Sequence, residues 1–396
     1  MAKIDGTAAP RPTPNRVVPV LAVVALVLVW LLDLGTIQPN RIVPGTGHGL
    51  VSAVGWPGAG LVSLVLVAAF MVSILPLARR YWALLILAGL SLALLPLLLE
   101  VFAARHLPPD SPYARSSVGA GFWCLLFLLS LMLIEILGRL KAGRGVQLLV
   151  MVVIGGSWLV LLRGDGLESL SLVREFNAQP DKFAQALRAH LALAFGAVAV
   201  SAGLAVILAL KMVRSPAWQR PILGAVSFMQ TIPSLAVFGL LIAPLSALSS
   251  AFPVLQELGV RGIGWAPALL ALIAYSLLPM VRNTFVALTE VPESLADAGR
   301  GMGMSERQLF FQLKVPLALP VIIEGMRITT IQAIGLTAVA ALIGAGGFGG
   351  FIFQGLGQSA MDLVLLGALP TIALALVADA LFTLLAASLR PVPATA

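Results

Sequence analysis

Apolar runs of about 20 residues, separated by short polar breaks, recur along the whole chain. A helix needs roughly that many apolar residues to cross the hydrocarbon core of a bilayer, and only helices or closed barrels satisfy their own backbone there. The runs are continuous rather than alternating, which predicts helices. Ten can be drawn, at 17–34, 59–78, 81–104, 118–138, 146–162, 190–210, 222–248, 264–288, 317–343 and 361–388. The longest breaks follow the fifth and the eighth runs.

Composition excludes a soluble globular protein: 59% of the 396 residues are hydrophobic, 11% are charged, and the mean hydropathy is +1.01. The single cysteine, Cys124, lies inside an apolar run, so this chain builds neither an internal disulfide nor a cysteine metal site. His48, His106 and His190 stand singly near predicted helix ends, which suits interfacial positions, and neither a metal nor a cofactor is expected.

The net charge of +8 does not point to nucleic acid, because the bases come one to three at a time between apolar runs. They act as topology signals instead. With the N-terminus inside, sixteen Lys and Arg residues fall in inner segments and eight in outer ones, and half of those eight lie in the acid-balanced stretch 163–189. The excess predicts that both termini face the cytoplasm. Lys3, Arg11 and Arg16 precede a first helix that lacks a cleavage pattern, so it is expected to be retained.

Three regions follow: 1–162 with five helices and few polar residues at depth, 163–189, and 190–389. In 163–189, Asp165, Glu168, Glu175 and Asp181 alternate with four bases and with Leu167, Leu170, Leu172, Val173 and Phe176, which predicts an amphipathic junction on the outer surface. The third region carries a polar insertion, 289–316, and a glycine-rich run.

The insertion is too polar to span a bilayer. Glu293 to Gly299 has helix-forming character, Gly301 and Gly303 permit a sharp bend, and Ser305 followed by Glu306 can start a second short helix. Pro316 and Pro320 flank the return to the membrane. This pattern predicts a compact knob that docks into a groove of another protein, with an ordinary interfacial loop as the alternative on composition alone.

Asp297-Ala298-Gly299, three residues, Gly303, nine residues and Leu313-Lys314-Val315-Pro316 resemble the coupling-helix signature of ATP-binding-cassette importer permeases. That signature reads Glu-Ala-Ala, three residues, Gly, nine residues, Ile-x-Leu-Pro, so the spacing matches and four substitutions are mild. "QTIPSLAVFGLLI" from Gln230, "YSLLPMVRNT" from Tyr275, "GMGMS" from Gly301 and "LIGAGGFGGFIFQGL" from Leu342 resemble the permeases of osmoprotectant importers for glycine betaine, choline and related quaternary amines. The resemblance covers much of residues 185 to 389. It implies an all-α integral membrane protein with about ten transmembrane helices, the last five forming a type I importer core like that of the methionine permeases.

In such an importer Asp297, Ala298, Gly299, Gly303, Leu313 and Pro316 would couple to the ATPase, with Asp297 poised for a base on that partner. The implied partners are ABC ATPase subunits, a second permease subunit, a periplasmic or lipid-anchored solute-binding protein and membrane lipid, in the bacterial inner membrane. No G-x-x-x-x-G-K-[ST] loop is present, so hydrolysis would reside on the separate ATPase and this chain would not be an enzyme. No aromatic cage cluster lies outside the runs either, which assigns solute affinity to the binding protein.

Gln230, Thr231, Pro233 and Ser234 interrupt the apolar run 222–248 and are candidates for lining a pathway, or for a kink satisfied by neighbouring helices. Gly344, Gly346 and Gly349 satisfy G-x-G-x-x-G, but no strand precedes them. With Gly347 they predict a tight external turn or re-entrant bend instead. Glu324 and Arg327 are spaced to pair on one helix face, and Asp379 sits deeper in the last run. The same core for another small solute is the first alternative; an ion-coupled secondary transporter is the second, and the sequence offers it neither an internal repeat nor an acid cluster. A membrane-embedded enzyme lacks a converging set of catalytic side chains.

Overall fold

The computed structural model describes residues 15–40, 43–77, 79–107, 111 and 113–389. Lys3, Arg11, Arg41 and Arg390, which enter the charge count, lie outside them. Among the described residues nine helices are long and apolar enough to cross a membrane, and a tenth apolar helix, Val17–Leu31, is shorter. The chain divides into two compact units after Asn177.

The first unit runs α1 (Val17–Leu31), β1 (Gly35–Gln38), β2 (Thr46–His48), α2 (Leu50–Ile74), α3 (Arg80–His106), β3 (Arg115–Val118), α4 (Ala120–Leu140), α5 (Arg144–Arg163) and α6 (Ser171–Ala178). Helix α1 packs on α2 and α4, and α3 on α2, α4 and α5. Leu66, Leu84, Met132 and Ile136 are fully buried between them. The strands form an antiparallel sheet in the order β2-β1-β3, with Gly35 opposite both His48 and Val118. It ties the end of α1 to the starts of α2 and α4. Close approach sets its glycines, since a Cβ on Gly119 would strike the Asp33 carbonyl and one on Gly35 the Phe102 ring.

No strand is predicted from sequence here, because segments of three or four residues are too short to display an alternation of period two. The stretch 163–189, expected as an amphipathic external junction, falls partly in each unit. Leu167, Leu170, Ser171 and Glu175 are buried in the first unit, with Glu175 receiving a 2.8 Å hydrogen bond from Arg115 of β3. The next helix then begins at Pro180, ten residues before the apolar run. Proline at the first helical position and Asp181 in the first turn both favour that earlier start.

The second unit contains α7 (Pro180–Arg214), α8 (Gln219–Thr231), α9 (Ser234–Ala251), α10 (Pro253–Glu257), α11 (Trp265–Thr289), α12 (Glu293–Gly301), α13 (Glu306–Gln308), a π-helical turn (Leu309–Lys314), α14 (Val315–Ala340), α15 (Gly349–Gly357) and α16 (Met361–Leu389). Helices α7, α11 and α14 pack on one another, α16 covers α14, and α8 and α9 lean on α11. Ala194, Ala197 and Ala205 of α7 and Ala268 and Ala271 of α11 are fully buried. Small side chains let helix backbones approach where dispersion, not exclusion of water, drives association. The run 222–248, expected as a single helix, is two, because Pro233 has no N–H to continue the ladder.

Candidate functional site

Between α11 and α14 the polar insertion folds as a helix, a bend and a second helix. Met302 closes α12, and Gly303 takes φ +84°, a left-handed conformation that glycine adopts without strain. Ser305 then caps α13 through a reciprocal box with Gln308. The two arms are held together. Leu309, 1% exposed, packs against Gly299, where a Cβ would stand 2.7 Å from its Cδ2. This contact accounts for glycine at the third position of the Asp297-Ala298-Gly299 triplet.

Arg300 spans the bend, donating to Asp297 Oδ1 at 2.8 Å and to Glu306 Oε1 at 2.9 Å. Bonding to Glu306 first, and to Asp297 second, raises the guanidinium pKa above its ordinary value. Asp297 therefore sits in an exposed pair with Arg300 rather than as a free acid. Leu313 lies in the π-helical turn and Pro316 in the first turn of α14. Beside this segment, at the end of α7, a cavity of about 450 Å³ is lined by Arg214, Arg307, Lys314, Glu306, Phe310 and Phe311.

Gln230 and Thr231 end α8, and Pro233 and Ser234 open α9. The Gln230 and Thr231 side chains are engaged with backbone. Pro279 leaves the Tyr275 carbonyl of α11 without its helical donor, and Gln230 Nε2 supplies one at 2.8 Å. The Tyr275 hydroxyl donates in return to the Ile232 carbonyl at the break, and Thr231 bonds back to Phe228. Thr231 and Pro233 are exposed on the surface of the subunit.

After α14 the chain turns through Gly344, Gly346 and Gly347, all at positive φ, into α15. Gly349 is fixed by packing, since a Cβ there would collide with the Ala338 carbonyl. His190 of α7, fully buried, pins the turn: Nε2 lies 3.0 Å from the Ile334 carbonyl, and Nδ1 accepts from the Phe348 N–H at 3.3 Å. These bonds require the neutral ring with its proton on Nε2. A cavity of about 440 Å³ opens between the turn and the start of α7, lined by Lys182, Gln185, Gln354 and the glycine backbone.

Arg327 of α14 donates to Glu324 at 3.0 Å and to Asp379 of α16 at 2.7 Å. Glu324 and Arg327 pair on one helix face, as their spacing implies, and Asp379 joins them on the same guanidinium. No periodicity relates Asp379 to Arg327, 52 positions away, so only the packing of α16 on α14 reveals the trio. The histidines are not single interfacial groups, since His190 is core and the His48 and His106 rings lie 4.3 Å apart. Among the described residues no three His, Cys, Asp or Glu side chains form a group that could hold a metal ion.

A family model described as the binding-protein-dependent transport system inner membrane component matches residues 201–391. One described as the N-terminal domain of the ABC transporter permease YehY matches residues 15–173. The chain is 41% identical over 198 residues to the osmoprotectant import permease protein OsmW of Salmonella typhimurium, covering 49% of this chain and 87% of that one. It is 38% identical over 190 residues to the carnitine transport permease protein OpuCB of Listeria monocytogenes, covering 48% and 80%. A solved inward-facing MetNI methionine ABC transporter aligns at 19% identity and a TM-score of 0.46, over 53% of this chain and 96% of that chain.

Proposed function

This chain belongs to the family of binding-protein-dependent transport system inner membrane components, and on that premise we propose that it translocates glycine betaine or a related osmoprotectant in an ATP-driven importer. The observation that carries the reading is the bent, exposed insertion between α11 and α14, held rigid by Arg300 and by the Gly299–Leu309 contact. A rigid knob transmits displacement, whereas a loose loop absorbs it. With both termini cytoplasmic, residues 289–316 face the ATPase subunits. The cavity bounded by Arg214, Arg307 and Lys314, whose one acid, Glu306, is already paired with Arg300, offers acidic side chains of that partner a net cationic surface.

ATP-driven closure of two ATPases would push the insertion, and α11 and α14, continuous with it, would carry the motion to the break between α8 and α9 and to the glycine turn. Asp297, Ala298, Gly299, Gly303, Leu313 and Pro316 form the coupling contact in this scheme. Gln230, Thr231, Pro233 and Ser234 mark the pathway, and Gly344, Gly346, Gly347 and Gly349 the outer gate. A second permease subunit completes the pore, and a solute-binding protein delivers the cargo. Hydrolysis belongs to the ATPase.

Gly303→Val introduces a branched side chain at a left-handed backbone position and should disrupt the bend, while Asp297→Lys reverses the exposed charge. Each should uncouple ATP hydrolysis from uptake in the reconstituted complex without loss of membrane insertion. Uptake equal to wild type in both variants would refute the coupling assignment, and labelling of a cysteine at Ser305 from outside would refute the orientation.

A further inference from the structure

We propose that the cavity between the glycine turn and the start of α7 is a carboxylate site that takes the acidic end of a zwitterionic solute as it enters the permease. The inference rests on the importer reading above, which places this end of the unit outside, and names the solute group that the mouth recognises.

The lining holds donors and no acid. Lys182, Gln185 and Gln354 border the cavity, and its remaining wall is alanine, glycine and Phe351. Lys182 Nζ donates to Gln179 Oε1 at 3.2 Å and has no carboxylate partner among the described residues. The backbone N–H groups of Gly346 and Gly347 likewise meet no protein acceptor among the described residues. Both glycines take φ +82° and line the cavity, so their backbone can come close to an occupant.

The turn is held open rather than collapsed onto its own donors. His190 fixes the Phe348 N–H on one side, and the Ile343 carbonyl accepts from Gly264 at 2.8 Å on the other. The volume of about 440 Å³ lies in the range of small-molecule sites. One ring, Phe351, makes no cage for a quaternary ammonium, and Lys182 repels one. A betaine therefore enters carboxylate first, with its cationic end turned away from the lysine.

The same chemistry could serve an acidic side chain of the docked binding protein, so the test separates the two sources. The complex, purified with its ATPase and binding protein and reconstituted in vesicles, is assayed for glycine betaine uptake and for binding-protein docking. Lys182→Ala, at an exposed position that leaves the fold intact, should lower uptake roughly tenfold with docking unchanged, the scale of one charge-assisted hydrogen bond. Lys182→Arg should restore most of it. Uptake by Lys182→Ala equal to wild type overturns the proposal, as does a parallel loss of docking, which would assign the carboxylate to the binding protein. A wild-type complex that accumulates no betaine refutes the importer reading itself, a failure visible before any variant is made.

Discussion

Pro96 in α3 and Pro279 in α11 each leave the carbonyl four residues earlier without its helical donor, and the two units repair the fault differently. In the first unit Trp158 Nε1 of α5 donates to the Leu92 carbonyl at 2.7 Å, beside Ser157, which donates to Ala93 at 3.0 Å. Both donors sit within a continuous helix, and α3 runs unbroken from Arg80 to His106. In the second unit the donor is Gln230, at the terminus of α8 and three residues before the break at Pro233. The first unit further ties its helix ends with a sheet and the buried Arg115–Glu175 pair, while the second ends its helices in glycine turns and open cavities. The same backbone defect is thus fixed inside a frame in one unit and set at a joint in the other.

The largest test of that contrast is Glu175→Leu. Arg115 and Glu175 are 16% and 5% exposed, and removing one partner of a buried pair leaves the other charged in a poorly solvated place. Unfolding of the first unit, followed by near-ultraviolet circular dichroism in detergent, should be eased by about 3 kcal/mol. Asp379→Asn in the second unit should cost far less, because the Arg327 trio is about one-third exposed on each side chain and Glu324 remains. Equal losses would erase the distinction between frame and joint.

Much of this architecture was legible in the chain because its signals are local. The spanning helices follow from apolar length, and the bend of the insertion follows from Gly303 and the Ser305 cap, each readable within a few residues. The sheet, the Arg115–Glu175 pair, the His190 bonds to Ile334 and Phe348 and the third member of the Arg327 trio were not legible. Apart from the short β1–β2 pairing, their partners lie 52 to 158 positions apart, so no periodicity records them. Gln230 is intermediate. A lone glutamine in an apolar run signals a backbone vacancy nearby, and a proline elsewhere signals a freed carbonyl, but only packing of α8 on α11 matches the two.

A smaller effect separates stability from transport. Trp158→Phe and Gln230→Leu each remove one donor from a proline-freed carbonyl, and each should destabilise its own unit by about 1 kcal/mol, the scale of hydrogen bonds between membrane helices. Thermal unfolding should therefore not tell them apart. Uptake per folded complex should: Trp158→Phe is expected to match wild type, while Gln230→Leu, which loosens α8 from α11 at the break, should slow transport. Equal uptake in the two variants would mean that the break at Pro233 is as static as the kink at Pro96.

The smallest effect concerns protons on the cap of the first unit. His48 of β2 contacts the rings of His106 and Phe102, its Nδ1 lies 3.0 Å from Ser52 Oγ, and Asp33 stands nearby. Burial, followed by repulsion from His106, lowers its pKa below 6.5, and Asp33 offsets only part of the shift. The unfolded chain then binds a proton that the folded cap resists, so the stability held above about pH 6.5 declines as pH falls through that value towards the folded pKa. The melting temperature of the first unit should fall gently between pH 7 and pH 5.5, and His48→Asn should flatten that slope. A variant with an unchanged slope would remove His48 as the source, leaving the sheet indifferent to acid and the frame more rigid than its histidine pair implies.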